Sequence, residues 1–237
     1  NYRGFVIPVK GWLIDGKITT SEFSERLAQE RNSYDDDTAY MMQNLVDSHD
    51  TQRAASAIAN RTSFAEYKND NWLDYDDGER VNARSIGYNN GPPDVKGRRI
   101  WKMLALFQAT YVGAPMIYYG TEVGMWGADD PENRMPTWWY RMDEDIFKTY
   151  QSAFLLRHTH PVLRRGGFKV LETRDKSQVF VFERKLGDKR LVIILNRGHG
   201  EATLNSDYLK GLKVIYSTDP IASTRRLPSL SAAVFGK

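Results

Sequence analysis

Short apolar runs that end abruptly in polar clusters alternate with helical periodicity over the first part of the chain. The run from Gln43 to Val46 predicts a short buried strand, and it stops at the polar residues 47–53. A second apolar run at residues 113–120 ends at a glycine and leads into a long polar stretch. The helical periodicity predicts helices over residues 20–28, 51–64, 98–112 and 146–158. In the last helix it predicts an inner face formed by Phe147, Tyr150, Phe154 and Leu155. Strands that stop in a cluster of ionisable groups are typical of barrel enzymes, which place chemistry where buried strands end.

The pattern changes to short strands after Pro161. Strands are predicted at residues 178–184, 190–196, 213–216 and 232–235, with a turn at residues 186–188 between the first two. This spacing predicts a small antiparallel β-sandwich. The chain therefore divides into a predicted α/β part over residues 1–160 and an all-β part over residues 161–237.

The amino-acid composition excludes several classes of protein for this chain. The 237 residues are 41% hydrophobic and 12% aromatic, which is enough for a packed core and argues against disorder. The longest apolar runs fall short of the roughly 18 residues that a membrane helix needs, so no membrane partner is expected. A net charge of +3, from 33 basic and 30 acidic residues well mixed along the chain, is too weak for a nucleic-acid footprint. The absence of cysteine excludes disulfides and thiolate metal sites and leaves the compartment open between periplasm and cytoplasm.

Two segments together identify a family. The polar segment Asp47-Ser48-His49-Asp50 follows the first predicted strand, and Tyr118-Tyr119-Gly120 ends the second. In this order and at this separation, the chain resembles the α-amylase family of glycoside hydrolases, most closely the cyclomaltodextrinase and neopullulanase group. The first segment is similar to that family's last signature region, at the end of barrel strand seven, and the second is similar to strand eight. The resemblance implies the C-terminal portion of a (β/α)8 TIM barrel, about strands 7–8 with flanking helices, followed by a small antiparallel β-sandwich.

The resemblance also implies a reaction and a role for Asp50. Members of this family are retaining enzymes that cleave α-1,4-glucosidic bonds with three carboxylates, of which Asp50 corresponds to the third. His49 would donate to the same sugar hydroxyls, and Arg53 would order the loop. The nucleophile and acid/base patterns precede this segment in the family, and neither occurs in the first 42 residues. The chain is therefore expected to be a C-terminal fragment that is inactive alone, with the missing barrel part or a second copy as its partner.

A second candidate cluster follows the eighth-strand segment. Asp130-Pro131-Glu132-Asn133-Arg134 is similar to the family's Asp-Pro-x-x-Arg pattern, in which Asp130 and Arg134 would bind a glucose residue. The alternative is that the two side chains only hold the loop together. Trp126 and the pair Trp138-Trp139 offer flat faces for sugar stacking, although aromatic residues also fill cores. Thr121 departs from many relatives, which carry Asp there, and this puts the structure of the loop in question.

No metal or cofactor is expected in this chain. Calcium binding by the longer protein of which the chain would be a fragment remains open. The acidic runs at residues 35–37 and 74–78 lack the spacing of a calcium loop. Residues 65–97, rich in Asp, Asn, Gly and Pro, predict a long loop at the barrel rim. Three alternatives remain open: a non-catalytic carbohydrate-binding or assembly module, a purely structural fragment that pairs with another chain, and a transferase of the same family.

Overall fold

A computed structural model describes residues 2–61, 83–84, 87–221 and 225–237 of the chain. Most of the predicted rim loop, including the acidic run at 74–78, lies outside the described residues. The helices are α1 (Ile7–Val9), α2 (Thr20–Arg31), α3 (Asp36–Met41), α4 (Ala54–Ala59), α5 (Val95–Thr110), α6 (Glu144–Thr159), α7 (Pro161–Arg165) and α8 (Ser206–Leu209). The strands are β1 (Gln43–Asn44), β2 (Ala114–Pro115), β3 (Gly167–Arg174), β4 (Val179–Leu186), β5 (Lys189–Asn196), β6 (Ala202–Thr203), β7 (Lys213–Ser217), β8 (Arg226–Leu227) and β9 (Ser231–Gly236). Two π-helical stretches, Tyr2–Val6 and Lys10–Ile14, flank α1.

Side-chain caps define where the long helices begin. The Thr19 hydroxyl accepts from the Glu22 N–H at the start of α2, and the Asp94 carboxylate accepts from the Gly97 N–H at the start of α5. Asp143 accepts from the first backbone N–H groups of α6. A cap of this kind satisfies N–H groups that have no partner inside the helix. Among the helices of the described residues, none is both long and apolar enough to cross a membrane.

The strands β1 and β2 form a parallel pair, with Gln43 opposite Ala114 and Asn44 opposite Pro115. Helices α4 and α5 lie between them in the chain, so the connection is a helical crossover of the kind that parallel strands require. Gln108, on α5, donates its side-chain amide to the carbonyl oxygens of Asn44 and Met116 and so fixes the helix over both strands. Because the strands are parallel, the segments that follow them emerge at the same edge.

The carboxyl-terminal strands form a five-stranded antiparallel sheet in the order β3-β4-β5-β9-β7. One face packs against the helices, and the other packs against the two-stranded sheet β6-β8 and helix α8. Alternation along β4 decides which residue faces which side: Phe180 and Phe182 join the helical core, whereas Val179 and Val181 join the core on the opposite face. The antiparallel strands are therefore observed, while the C-terminal part of a (β/α)8 barrel and the β-sandwich stay predictions.

The apolar core on the helical face of the sheet spans both predicted parts of the chain. Trp12 is fully buried and stacks on Phe23 with ring centroids 4.6 Å apart, and it meets Phe180 from the sheet edge to face with ring centroids 6.1 Å apart. The Trp12 indole also donates to the Thr20 hydroxyl at 3.1 Å. The division at residues 160 and 161 stays a prediction, and the core cluster is continuous across it.

Two arginines, Arg184 fully buried and Arg157 half-buried, stabilise the carboxyl end of α5. Arg184 donates to the carbonyl oxygen of Thr110, and Arg157 donates to that of Ala109. The last carbonyls of a helix have no partner inside it and carry partial negative charge, so a guanidinium is well placed there. Burial lowers the pKa of both arginines to about 10, because removal from water disfavours the charged guanidinium.

Candidate active site

The segment after β1 is a tight loop that exposes two side chains and buries its others. The Ser48 N–H donates to the Thr51 hydroxyl at 2.9 Å, and the Asp50 N–H donates to the Ser48 hydroxyl at 3.0 Å. These bonds turn the side chains of His49 and Asp50 outward, where 63% and 60% of their surfaces are exposed. His49 Nε2 lies 3.3 Å from Asp50 Oδ2, which is an ion pair when the imidazole is protonated. The loop thus presents an imidazole and a carboxylate at the edge where the parallel strands end.

Arg134 brings the second predicted cluster to the first. Its Nη2 lies 3.3 Å from Asp130 Oδ2 and 3.8 Å from Asp50 Oδ1. Its Nε donates to the His49 carbonyl oxygen at 3.2 Å. The guanidinium therefore lies between two carboxylates and offsets their mutual repulsion. All four predicted polar site residues meet in one place. The Asp130–Arg134 contact also fits the alternative, in which the two side chains only hold the loop together. The roles of these residues in sugar binding therefore stay predictions.

Asn133 joins the two loops, and the sequence did not single it out. Its side chain is fully buried, and its amide nitrogen lies 2.7 Å from the Thr51 carbonyl oxygen, 2.9 Å from that of His49 and 3.3 Å from that of Ser48. One side-chain amide thus fixes the loop that carries Asp50 against the loop that carries Arg134. The residue occupies a variable position of the Asp-Pro-x-x-Arg pattern, so the motif itself gave no signal for it.

Trp126 has aromatic and cationic partners in the structure. Its ring meets Trp138 edge to face with centroids 4.5 Å apart, and the Arg141 guanidinium carbon lies 4.5 Å from the Trp126 centroid and 4.2 Å from that of Trp138. This cation–π arrangement occupies part of the aromatic surface that was predicted to stack on sugar. Trp139 and Tyr140 are more open, with 67% and 82% of their surfaces exposed. Sugar stacking by Trp126 stays a prediction.

A buried layer of polar residues supports the exposed loop. Arg53 is fully buried, donates to the Tyr119 carbonyl oxygen at 2.7 Å, and lies over the rings of Tyr118 and Tyr119. Its backbone N–H donates to the Gly127 carbonyl oxygen at 3.0 Å. Arg53 therefore orders the loop, as the sequence predicted. Burial raises the pKa of Asp47 to about 6, and hydrogen bonds to its carboxylate and the charge of Arg53 act in the opposite direction.

The described residues contain no group of three or more histidine, aspartate and glutamate side chains placed to hold a metal ion. The site residues above are hydrogen-bonding and charged groups, which can hold a polyhydroxylated ligand. His158, His160 and His199 are not among the residues that meet at the candidate site, whose histidine is His49.

The chain is similar to known neopullulanases and cyclomaltodextrinases. No protein-family profile matches it. It is 29% identical over 192 residues to neopullulanase 2 of Thermoactinomyces vulgaris, covering 80% of this chain and 27% of that protein. It is 30% identical over 202 residues to a cyclomaltodextrinase of a Bacillus species, covering 84% of this chain and 30% of that protein. The chain thus spans less than a third of the length of either relative.

Solved structures show the same fold. Cyclic α-maltosyl-(1→6)-maltose hydrolase from Arthrobacter globiformis superposes with a TM-score of 0.73 at 22% identity, over 100% of this chain and 43% of that one. A cyclomaltodextrinase superposes with a TM-score of 0.68 at 24% identity, over 98% of this chain and 36% of that one. At this identity the likeness concerns the fold alone.

Proposed function

Because its homologues are neopullulanases and cyclomaltodextrinases of the α-amylase family, we propose that this chain is the C-terminal portion of a retaining glycosidase. The enzyme would cleave α-1,4-glucosidic bonds in maltooligosaccharides, cyclodextrins or related glucans. In this proposal β1 and β2 are strands seven and eight of a (β/α)8 barrel, and the antiparallel sheets belong to a C-terminal β-sandwich. The preceding barrel segment, which holds the nucleophile and the acid/base, is the partner that completes the site.

One observation carries the proposal: Arg134 contacts both Asp130 and the loop of His49 and Asp50. These residues come from two segments that follow neighbouring parallel strands. The catalytic groups of barrel enzymes lie on the loops at this end of the strands. Both carboxylates and the guanidinium are partly open to solvent, so a sugar can reach them. The arrangement places two carboxylate acceptors and a guanidinium donor side by side, and sugar hydroxyl groups can bind to both kinds of group.

The proposed chemistry uses these groups in the transition state. Cleavage of a glucosidic bond builds positive charge on the anomeric carbon and ring oxygen, and hydrogen bonds to the sugar 2-hydroxyl strengthen as it builds. Asp50 would accept hydrogen bonds from the 2-hydroxyl and 3-hydroxyl, and His49 would donate to the same hydroxyls. Asp130 and Arg134 would hold a neighbouring glucose on the non-reducing side of the cut. The nucleophile and acid would act from the preceding segment, so the chain alone would be inactive.

The proposal predicts the stereochemistry of the product. The longest natural polypeptide that contains this chain should release the α-anomer first from maltoheptaose, because a retaining enzyme makes two successive inversions at the anomeric carbon. Proton NMR of the anomeric region, recorded before mutarotation, measures this directly. Initial release of the β-anomer, or no cleavage of any α-glucan by this polypeptide, would contradict the proposal.

A non-catalytic carbohydrate-binding or assembly module is the second candidate. It is favoured by the fact that Asp130, Arg134 and His49 meet within this chain, whatever precedes it. Under this alternative the chain alone binds maltooligosaccharides saturably and the Arg134→Ala variant does not, while the longer polypeptide has no hydrolytic activity. A transferase of the same family would instead give longer products as well as glucose and maltose.

A further inference from the structure

Asp47 is a fully buried carboxylate directly before the exposed loop, and the proposed chemistry gives it no part. A single oxygen, Oδ2, accepts two hydrogen bonds: one from the Ala54 N–H at 2.8 Å and one from the Thr121 hydroxyl at 2.7 Å. Ala54 is the first residue of α4, whose N-cap residue Arg53 makes no side-chain cap hydrogen bond. Asp47 therefore provides the missing cap from seven positions earlier.

The two hydrogen bonds restrain the loop in two ways. The bond to Ala54 closes the segment between Asp47 and Ala54 into a ring, with Asp50 in its middle. The bond to Thr121 ties this ring to the turn Thr121–Val123, which follows β2. A ring closed at its base has fewer conformations than an open loop, so the exposed carboxylate of Asp50 is held in one place.

The surroundings of Asp47 explain why the two hydrogen bonds matter. Arg53 from the same loop, Glu122 from the turn after β2 and Tyr150 from α6 all act on it electrostatically. Removal from water opposes its ionised form, and Glu122 adds like-charge repulsion, whereas the two hydrogen bonds and Arg53 stabilise it. A buried carboxylate is costly unless its donors are in place. Loss of the Thr121 donor therefore disturbs the carboxylate and the loop that it closes.

We propose that Asp47 is a positioning residue that acts through the Thr121 hydroxyl to fix the loop carrying His49 and Asp50. The expected effect on kcat rests on the proposed function. The anchoring of the loop rests only on the two hydrogen bonds to Asp47. It also accounts for Thr121, whose hydroxyl supports the loop from the turn that follows β2.

Thr121→Val and Thr121→Ser test the proposal as a matched pair, because valine keeps the shape without the hydroxyl and serine keeps the hydroxyl without the methyl group. In the longest natural polypeptide, Thr121→Val should speed amide hydrogen exchange at Asp50 and Ala54. It should lower kcat on maltoheptaose about tenfold with little change in KM, since small misplacement of a group that acts in the transition state reduces kcat. Thr121→Ser should behave like the wild type in both measurements.

Asp47→Ala removes the acceptor of both hydrogen bonds and provides a second, independent variant, which should show the same loss of kcat and faster exchange at Ala54. Equal losses in Thr121→Val and Thr121→Ser would overturn the proposal, because the hydroxyl would then not be the part that matters. Unchanged exchange in Thr121→Val would also overturn it, as would faster exchange with an unchanged kcat. If the wild type cleaves no α-glucan, the proposed function fails, and the exchange data alone decide whether Asp47 anchors the loop.

Discussion

Replacing Asp50 with asparagine should lower kcat for maltooligosaccharide cleavage by about 10²–10³-fold in the longest natural polypeptide that contains this chain. Asparagine has nearly the same shape but lacks the charge that strengthens hydrogen bonds from the sugar hydroxyls as positive charge builds on the ring. The interaction belongs mainly to the transition state, so KM should change much less than kcat. Steady-state kinetics with a chromogenic maltooligosaccharide measure both constants.

A matched control for this substitution is Asp207→Asn. Asp207 is an exposed aspartate in the first turn of α8, within the all-β part of the chain. Its replacement removes the same charge and should leave kcat and KM unchanged. If Asp50→Asn retained kcat within about threefold of the wild type, Asp50 would not stabilise the transition state. The role assigned to it by resemblance would then be wrong.

Replacing Trp12 with alanine should lower the free energy of unfolding by about 3–5 kcal/mol. The substitution removes the stack on Phe23, the edge contact with Phe180 and the donor to the Thr20 hydroxyl, and it leaves a large cavity. Because Trp12 joins the amino-terminal helices to the antiparallel sheet, the loss should affect both predicted parts together. Urea unfolding followed by circular dichroism and by tryptophan fluorescence should give coincident, shifted transitions.

Two further variants sharpen this test. Trp12→Phe keeps an aromatic ring against Phe23 and loses the indole donor, so it should cost less than Trp12→Ala. Trp139→Ala removes a tryptophan that is 67% exposed and should change stability by less than about 0.5 kcal/mol. A Trp12→Ala protein within about 1 kcal/mol of the wild type would contradict the shared core. A shift confined to one of two separate transitions would do so as well.

The sequence predicted the strands and helices whose own pattern is strong. β4 and β5 carry long apolar runs, and both were predicted to within a residue or two. β3 was missed because Lys169, Glu172 and Arg174 interrupt its apolar positions, as is common for a strand at the edge of a sheet. The helix predicted over residues 51–64 ends earlier, at Ala59.

The prediction of which residues form the inner face of α6 was only partly correct. Tyr150 is buried as predicted, but Leu155 is 58% exposed. The buried stripe instead follows Ile146, Ala153 and Leu156, where the small alanine side chain allows close packing. Apolar residues lie on more than one side of this helix, so periodicity alone could not decide which stripe meets the core.

Only the residues of the candidate site that belong to a sequence motif could be predicted. The resemblance to the cyclomaltodextrinase and neopullulanase group is confirmed by the homologues, and it led to Asp50, Asp130 and Arg134. The sequence did not predict the role of Asn133 or the contact between Asp47 and Thr121. Asn133 acts on backbone carbonyls more than 80 positions away, and Asp47 acts on a hydroxyl that is 74 positions away. Contacts of this kind depend on how two loops meet in space, and no local pattern encodes them.

In the proposed function, this chain supplies one side of an active site whose nucleophile and acid lie in the preceding segment. We would measure turnover of a chromogenic maltoside by the 237-residue chain alone and by the longest natural polypeptide that contains it. We predict no turnover above background for the chain alone and clear turnover for the longer polypeptide. Turnover by the chain alone, under conditions that exclude a contaminating glycosidase, would contradict this proposal.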